Sequence, residues 1–218
     1  MNARIALAAT GIAIAALIAT GADQMLAHRL QFIDPAVRRG AALLTRAGDS
    51  TPYLLFTAFA ALYFRFRRRD ERLWRMAAFA FAAIALSGVA VNLLKIGLGR
   101  VRPGGPYEAG VGSFLGPTLA DFARSFPSGH ATTLGAVVAV VAVLAPRWLV
   151  PAVVLAAAVG ISRLLVGYHF ASDVIAGFLL GWASVALTRH VFARRGWWPV
   201  EGHGRMSRPG PSAPLSPA

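Results

Sequence analysis

Three short stretches carry groups that could handle a phosphate. They are Lys95-x6-Arg102-Pro103, then Pro127-Ser128-Gly129-His130, then Ser162-Arg163-x5-His169-x3-Asp173. Together they supply three permanent cations, two imidazoles and one carboxylate. His169 and Asp173 stand four apart, so on a helix they share a face within reach of each other. A carboxylate on one ring nitrogen fixes the tautomer and leaves the other nitrogen as a nucleophile. His130 follows Pro, Ser and Gly at the start of an apolar run, which is a helix-start signal. Free N–H groups at such a terminus bind anions; Ser128 can add a hydroxyl, Gly129 lets the backbone approach, and His130 can protonate a leaving oxygen. Lys95, Arg102 and Arg163 can neutralise phosphoryl oxygens, arginine in bidentate fashion and lysine as a point charge.

Each feature has a plainer reading when taken singly. A His–Asp pair also caps helices, Pro-Ser-Gly also starts them, and a cation at the end of an apolar run also snorkels to the interface. Arg100 and Arg124 are assigned to that last kind. Jointly the plainer readings fail, because none of them asks for all six ionisable groups at these spacings. Lys95 and Arg102 stand two helical turns apart, but Gly97, Gly99 and Pro103 predict that the helix ends between them.

The elements that must position these groups are membrane helices. Of 218 residues, 56% are hydrophobic and only 14% charged, well below the roughly one quarter usual in soluble domains. Apolar runs cover Ala3 to Gly21, Thr51 to Phe66, Arg75 to Ile96, Ser128 to Ala145, Trp148 to Val166 and Asp173 to His190. The expected fold is therefore all-α, a polytopic membrane bundle of about six transmembrane helices. Ala19-Thr20-Gly21-Ala22 resembles a signal-peptide cleavage site, but the apolar run is long and its basic flank is only Arg4. An uncleaved first helix is expected.

Three function classes fall away on composition. Cysteine is absent, which removes disulfides, thiolate metal sites and cysteine nucleophiles. The five histidines are scattered, so no metal site and no cofactor is expected. The net charge is +13, but the basic residues sit at the ends of apolar runs and in one short loop. That pattern suits topology and anionic lipid rather than nucleic acid. Arg65, Arg67, Arg68, Arg69, Arg72 and Arg75 make the loop between the second and third spans cytoplasmic, and Arg147, Arg189, Arg194 and Arg195 fall on that side too. The three motifs then face outward, in a bacterial inner membrane towards the periplasm. Against this stand Arg29, Arg38, Arg39 and Arg46 in the first outer segment, partly offset by Asp23, Asp34 and Asp49.

The expected organisation is a membrane domain over residues 1–195 and a disordered tail over 196–218, rich in Gly, Pro and Ser. Within the domain, residues 22–50 read as an amphipathic interfacial segment interrupted at Pro35, or as an ordinary packed connection. Residues 97–127 read as the active-site outer loop.

The three stretches together match the signature of the type 2 phosphatidic acid phosphatase superfamily, which also includes vanadium-dependent haloperoxidases, and the sequence departs from it nowhere between residues 95 and 173. The resemblance implies that His169 is a nucleophile forming a phosphohistidine and that Asp173 orients it. It implies His130 as proton donor, and Lys95, Arg102, Ser128, Gly129 and Arg163 as the phosphate pocket, without a metal. The run Gly48-Asp49-Ser50 faintly resembles lipid A phosphatases. The expected partner is a phosphorylated membrane lipid: undecaprenyl pyrophosphate, phosphatidylglycerophosphate, phosphatidic acid or lipid A. Two rivals are a lipid-linked phosphotransferase and a non-catalytic lipid-binding or transport protein.

Overall fold

The computed structural model describes residues 3–198, with side chains from residue 8. Of the tail expected over 196–218, residues 196–198 are described and the rest lies outside the described residues. Among the described residues eight α-helices follow one another: α1 (Ala3–Ala19), α2 (Ala22–Leu30), α3 (Pro35–Leu44), α4 (Ser50–Leu62), α5 (Glu71–Leu98), α6 (Gly129–Leu144), α7 (Leu149–Leu165) and α8 (Ala171–Arg194). Six of them coincide with the six apolar runs. The second run continues beyond α4 as a π-helical turn, Tyr63–Arg68, and α8 extends past His190 to Arg194.

The fold is an all-α membrane bundle. Three helical stretches are long and apolar enough to cross a bilayer unaided: Glu71–Leu98, Pro146–Leu165 and Ala171–Arg194. Residues Ala8–Ala19 and Ala22–Leu30, bent by 69°, make a fourth if taken as one broken span. Helix α6 falls a little short of that length.

Local chemistry accounts for the helix ends. Asp34 accepts from Ala36 N at 2.6 Å with Pro35 at the first helical position of α3. Asp49 accepts from Thr51 N at 2.9 Å to start α4, and Asp70 from Leu73 N at 2.9 Å to start α5. These are standard side-chain caps. Helix α5 ends at Gly99, whose φ of 57° only glycine adopts at little cost. A Cβ there would also meet the Gly116 carbonyl. Helices α6 and α8 pack backbone to backbone: a Cβ on Gly181 would lie 2.5 Å from Ala136 N, and one on Gly177 would lie 2.6 Å from Ser128 O. Such small-residue contacts replace the hydrophobic drive that helices lack in lipid.

Residues 22–50 form α2 and α3, broken at Pro35 as the sequence implies. Arg38 closes the break by donating to Gln31 O at 2.8 Å. The 97–127 loop folds back on itself rather than hanging free. Val101 N donates to Ser113 O at 2.9 Å, Arg102 N to Phe122 O at 2.8 Å, and Ser125 N to Arg100 O at 3.0 Å.

Candidate active site

All three motifs meet at one end of the bundle, where α5 finishes and α6 and α8 begin. The start of α6 is pinned to the start of α8 by Ser128 N donating to Asp173 O at 3.0 Å. His169 is buried in the turn between α7 and α8. Its electrostatic neighbours are Asp173, Lys95 and Arg163. Those of His130 are Arg163, Asp49, Lys95 and Arg102. Every residue picked out from the sequence therefore reaches one locus.

The cations are each held in place. Lys95, buried near the end of α5, donates from Nζ to Arg124 O at 2.9 Å. Arg102 donates from Nε to Asp121 O at 2.9 Å, and Arg163, buried on α7, donates to Thr45 Oγ1 at 2.8 Å. The Tyr168 ring lies within cation–π range of both arginines, its centroid 5.5 Å from the Arg102 guanidinium carbon and 5.0 Å from that of Arg163. Burial holds Arg102 below its ordinary value.

The nucleophile candidate sits in a saturated carboxylate shell. Asp173 Oδ2 lies 3.5 Å from His169 Nδ1, longer than a formed N–H···O bond. The same oxygen accepts from Ser125 Oγ at 2.5 Å and from Phe170 N at 2.8 Å. Ser125 Oγ is itself 3.5 Å from His169 Nδ1, so hydroxyl and carboxylate flank one ring nitrogen. Nε2 is the ring nitrogen that neither of them flanks. Burial pushes the His169 imidazole down to about 4, against the opposing pull of Asp173. It is therefore neutral, with a free lone pair, across the physiological range.

Ser128 occupies the N-cap position of α6, but its hydroxyl makes no cap bond. Its Oγ and the Nε of Arg163 are buried without a hydrogen-bond partner, and buried polar atoms rarely stay so without a role. The first-turn N–H groups of α6 lack helical acceptors. Cations, hydroxyl and helix terminus are together of the kind that can receive a tetrahedral anion. Gly48 packs beneath His130, where a Cβ would come within 2.8 Å of the imidazole. Among the described residues no cluster of three His, Cys, Asp or Glu is arranged to hold a metal ion.

One expectation needs correcting. Arg100 does not snorkel: it is fully buried. Its Nη1 donates to Asp173 Oδ1 and to Ser172 Oγ, both at 2.6 Å, and its Nη2 to Asp23 Oδ2 at 3.0 Å. Asp23, read from sequence as a charge offset in the outer segment, is 1% exposed. Arg124 keeps a partly exposed position, donating to Asn92 Oδ1 at 2.9 Å. Sequence reasoning missed Ser125, Thr45 and Tyr168 because no periodicity marks them. Their only signal is nearness to the motifs, within a few residues for Ser125 and Tyr168.

The sequence matches the PAP2 superfamily over residues 76–197. It is 39% identical over 168 residues to a lipid A 1-phosphatase of Rhizobium johnstonii, covering 71% of this chain and 67% of that one. It is 43% identical over 120 residues to a lipid A 1-phosphatase of Rhizobium etli, covering 55% of this chain and 51%, about half, of that one. In fold it resembles the crystal structure of a transmembrane PAP2-type phosphatidylglycerolphosphate phosphatase from Bacillus subtilis. The TM-score is 0.65 at 23% identity, over 91% of this chain and 96% of that one. The chain belongs to the PAP2 superfamily and is a membrane lipid phosphatase.

Proposed function

We propose that this enzyme removes the 1-phosphate of a lipid A-type glycolipid at the outer face of a bacterial inner membrane, through a phosphohistidine on His169. The convergence of His169, His130, Lys95, Arg102 and Arg163 at one end of the bundle carries the chemistry. The identity to the two Rhizobium proteins carries the choice of lipid.

His169 Nε2 attacks phosphorus while the bond to the glycosyl oxygen breaks. His130 gives its proton to that oxygen. Asp173 balances the charge that develops on the imidazole. Lys95, Arg102, Arg163, Ser128 and the α6 terminus hold the phosphoryl oxygens and stabilise the transition state. Gly129 leaves room for that approach. A water then attacks phosphorus, His130 takes its proton, and the N–P bond breaks to release inorganic phosphate and free His169.

Orientation is supported by the opposite end of the molecule. Arg75 stands at the start of α5, where it donates to Gly196 O at 2.9 Å, so the arginine-rich turn before α5 adjoins the end of α8. Lys95 is twenty positions further along the same helix, about 30 Å by helical rise, one hydrocarbon thickness. A basic end facing the cytoplasm puts the motifs outside. Helices α2 and α3 would then lie at the outer interface. A cleft of about 910 Å³ there, lined by Gln24, His28, Gln31 and Arg38 and by Pro103 to Gly105, suits a polar headgroup.

The test is phosphate release by detergent-purified protein in EDTA from lipid A, phosphatidylglycerophosphate, phosphatidic acid and undecaprenyl pyrophosphate, with His169→Ala alongside. Release from lipid A, lost in the variant, is expected. Preference for a glycerophospholipid or the pyrophosphate would overturn the choice of substrate. Release that survives in His169→Ala would overturn the chemistry.

A further inference from the structure

We infer that Asp23 and Arg100 form a positioning pair for the reaction, in which Asp23 neutralises Arg100 so that Asp173 keeps its negative charge for His169. The inference rests on the proposed roles of His169 and Asp173.

Arg100 is engaged on every nitrogen. Nε donates to Gly112 O at 3.3 Å, Nη1 to Asp173 and Ser172, and Nη2 to Asp23. The rings of Phe170 and Phe114 cover it, with centroids 4.3 Å and 5.3 Å from the guanidinium carbon. Asp23 in turn accepts from Ser172 N at 3.1 Å and from Ser172 Oγ. Two carboxylates therefore lie at the start of α8, one from α2 and one from α8 itself. The positive end of the α8 dipole favours both.

The charge balance explains the second carboxylate. An isolated Arg100–Asp173 pair would be neutral, and Arg100 would draw the field of Asp173 away from the imidazole. With Asp23 on the other terminal nitrogen of the guanidinium, the trio carries one net negative charge. That charge faces His169, through Asp173 Oδ2 and the Ser125 hydroxyl. It is strongest where water is excluded, and all three members of the trio are buried. The positive charge gained by the imidazole during attack is what it stabilises. The phosphate pocket is built from different residues, so losing Asp23 affects turnover and spares binding.

The variant is Asp23→Asn, which keeps shape and removes charge. Full-length protein in detergent is assayed for kcat and KM on the lipid that the wild type hydrolyses, with the unfolding midpoint measured in parallel. We expect kcat to fall about tenfold and KM to stay within about twofold. In an Asp173→Asn background, single-turnover rates should drop less than about twofold further on adding Asp23→Asn, because no carboxylate remains to be tuned. An unchanged kcat in folded Asp23→Asn, or a loss that multiplies fully with Asp173→Asn, overturns the inference. If Asp23→Asn does not fold, Asp23→Ser removes the charge while keeping a hydroxyl beside Ser172 N and Arg100. A kcat loss of several-fold at constant KM is then expected, and an unchanged kcat overturns the inference. His169→Ala separates the two readings. If it retains turnover, the phosphohistidine reading fails; if it is inactive while Asp23→Asn matches wild type, only the positioning pair fails.

Discussion

The two ends of this bundle use the same residue in opposite ways. At one end Arg65, Arg67, Arg68, Arg69 and Arg72 are exposed around the turn into α5. At the other, Arg100 and Arg163 are buried, and Arg102 is half-buried between Asp121 and Tyr168. Exposed arginines keep their hydration and act by number, setting orientation through their sum. Buried ones have lost that hydration and are tolerable only with fixed partners. Each buried cation therefore acts individually, and its geometry matters as much as its charge.

The sharpest way to break this contrast is at His169, the proposed nucleophile beside those buried charges. His169→Ala should lower turnover by about 10⁴-fold or more, with phosphate release falling to background while the protein remains monodisperse in detergent. Arg163→Lys keeps the charge but loses the forked contacts, and kcat/KM should fall about 100-fold. Near-normal activity in that variant would mean that Arg163 does not touch the phosphate. The pH profile offers a smaller, graded test. Burial lowers His169 to about 4, so it gains a proton only as the pH falls through that value. Its acid limb in kcat/KM should therefore lie below about pH 5, rather than near 6.5 as for an ordinary histidine. At the basic end, replacing Arg67, Arg68 and Arg69 together by alanine should change kcat/KM less than about twofold. The same variant should increase the fraction of inverted chains, read by the accessibility of a cysteine introduced in a loop.

The sequence made one end more legible than the other. Apolar runs and caps are local signals, so the helices at the six apolar runs, the break at Pro35 and an end of α5 between Lys95 and Arg102 could be read directly. The motif cations and histidines were legible because residue type and spacing sufficed to name them. Arg100 was not. It stands two residues from Arg102 in the same loop, and nothing local distinguishes them. The difference arises because Asp23, 77 positions upstream, and Asp173, 73 positions downstream, fold onto Arg100 alone. Ser125 was hidden for a similar reason. Its role beside Asp173 depends on how the 97–127 loop folds back, which no periodicity encodes. Ser128 shows the converse case: its sequence position suits either a phosphate-binding hydroxyl or a plain cap, and in the structure its hydroxyl makes no cap bond.

In the proposed reaction His169 carries the phosphate during turnover. The most direct measurement is to quench the enzyme in alkali during turnover of ³²P-labelled lipid substrate and map the label by mass spectrometry. We expect an alkali-stable, acid-labile phosphate on Nε2 of His169, one per enzyme at most, that chases away with excess unlabelled substrate. Label on another residue, or rapid hydrolysis with none trapped on His169 even at the earliest times, would contradict the account.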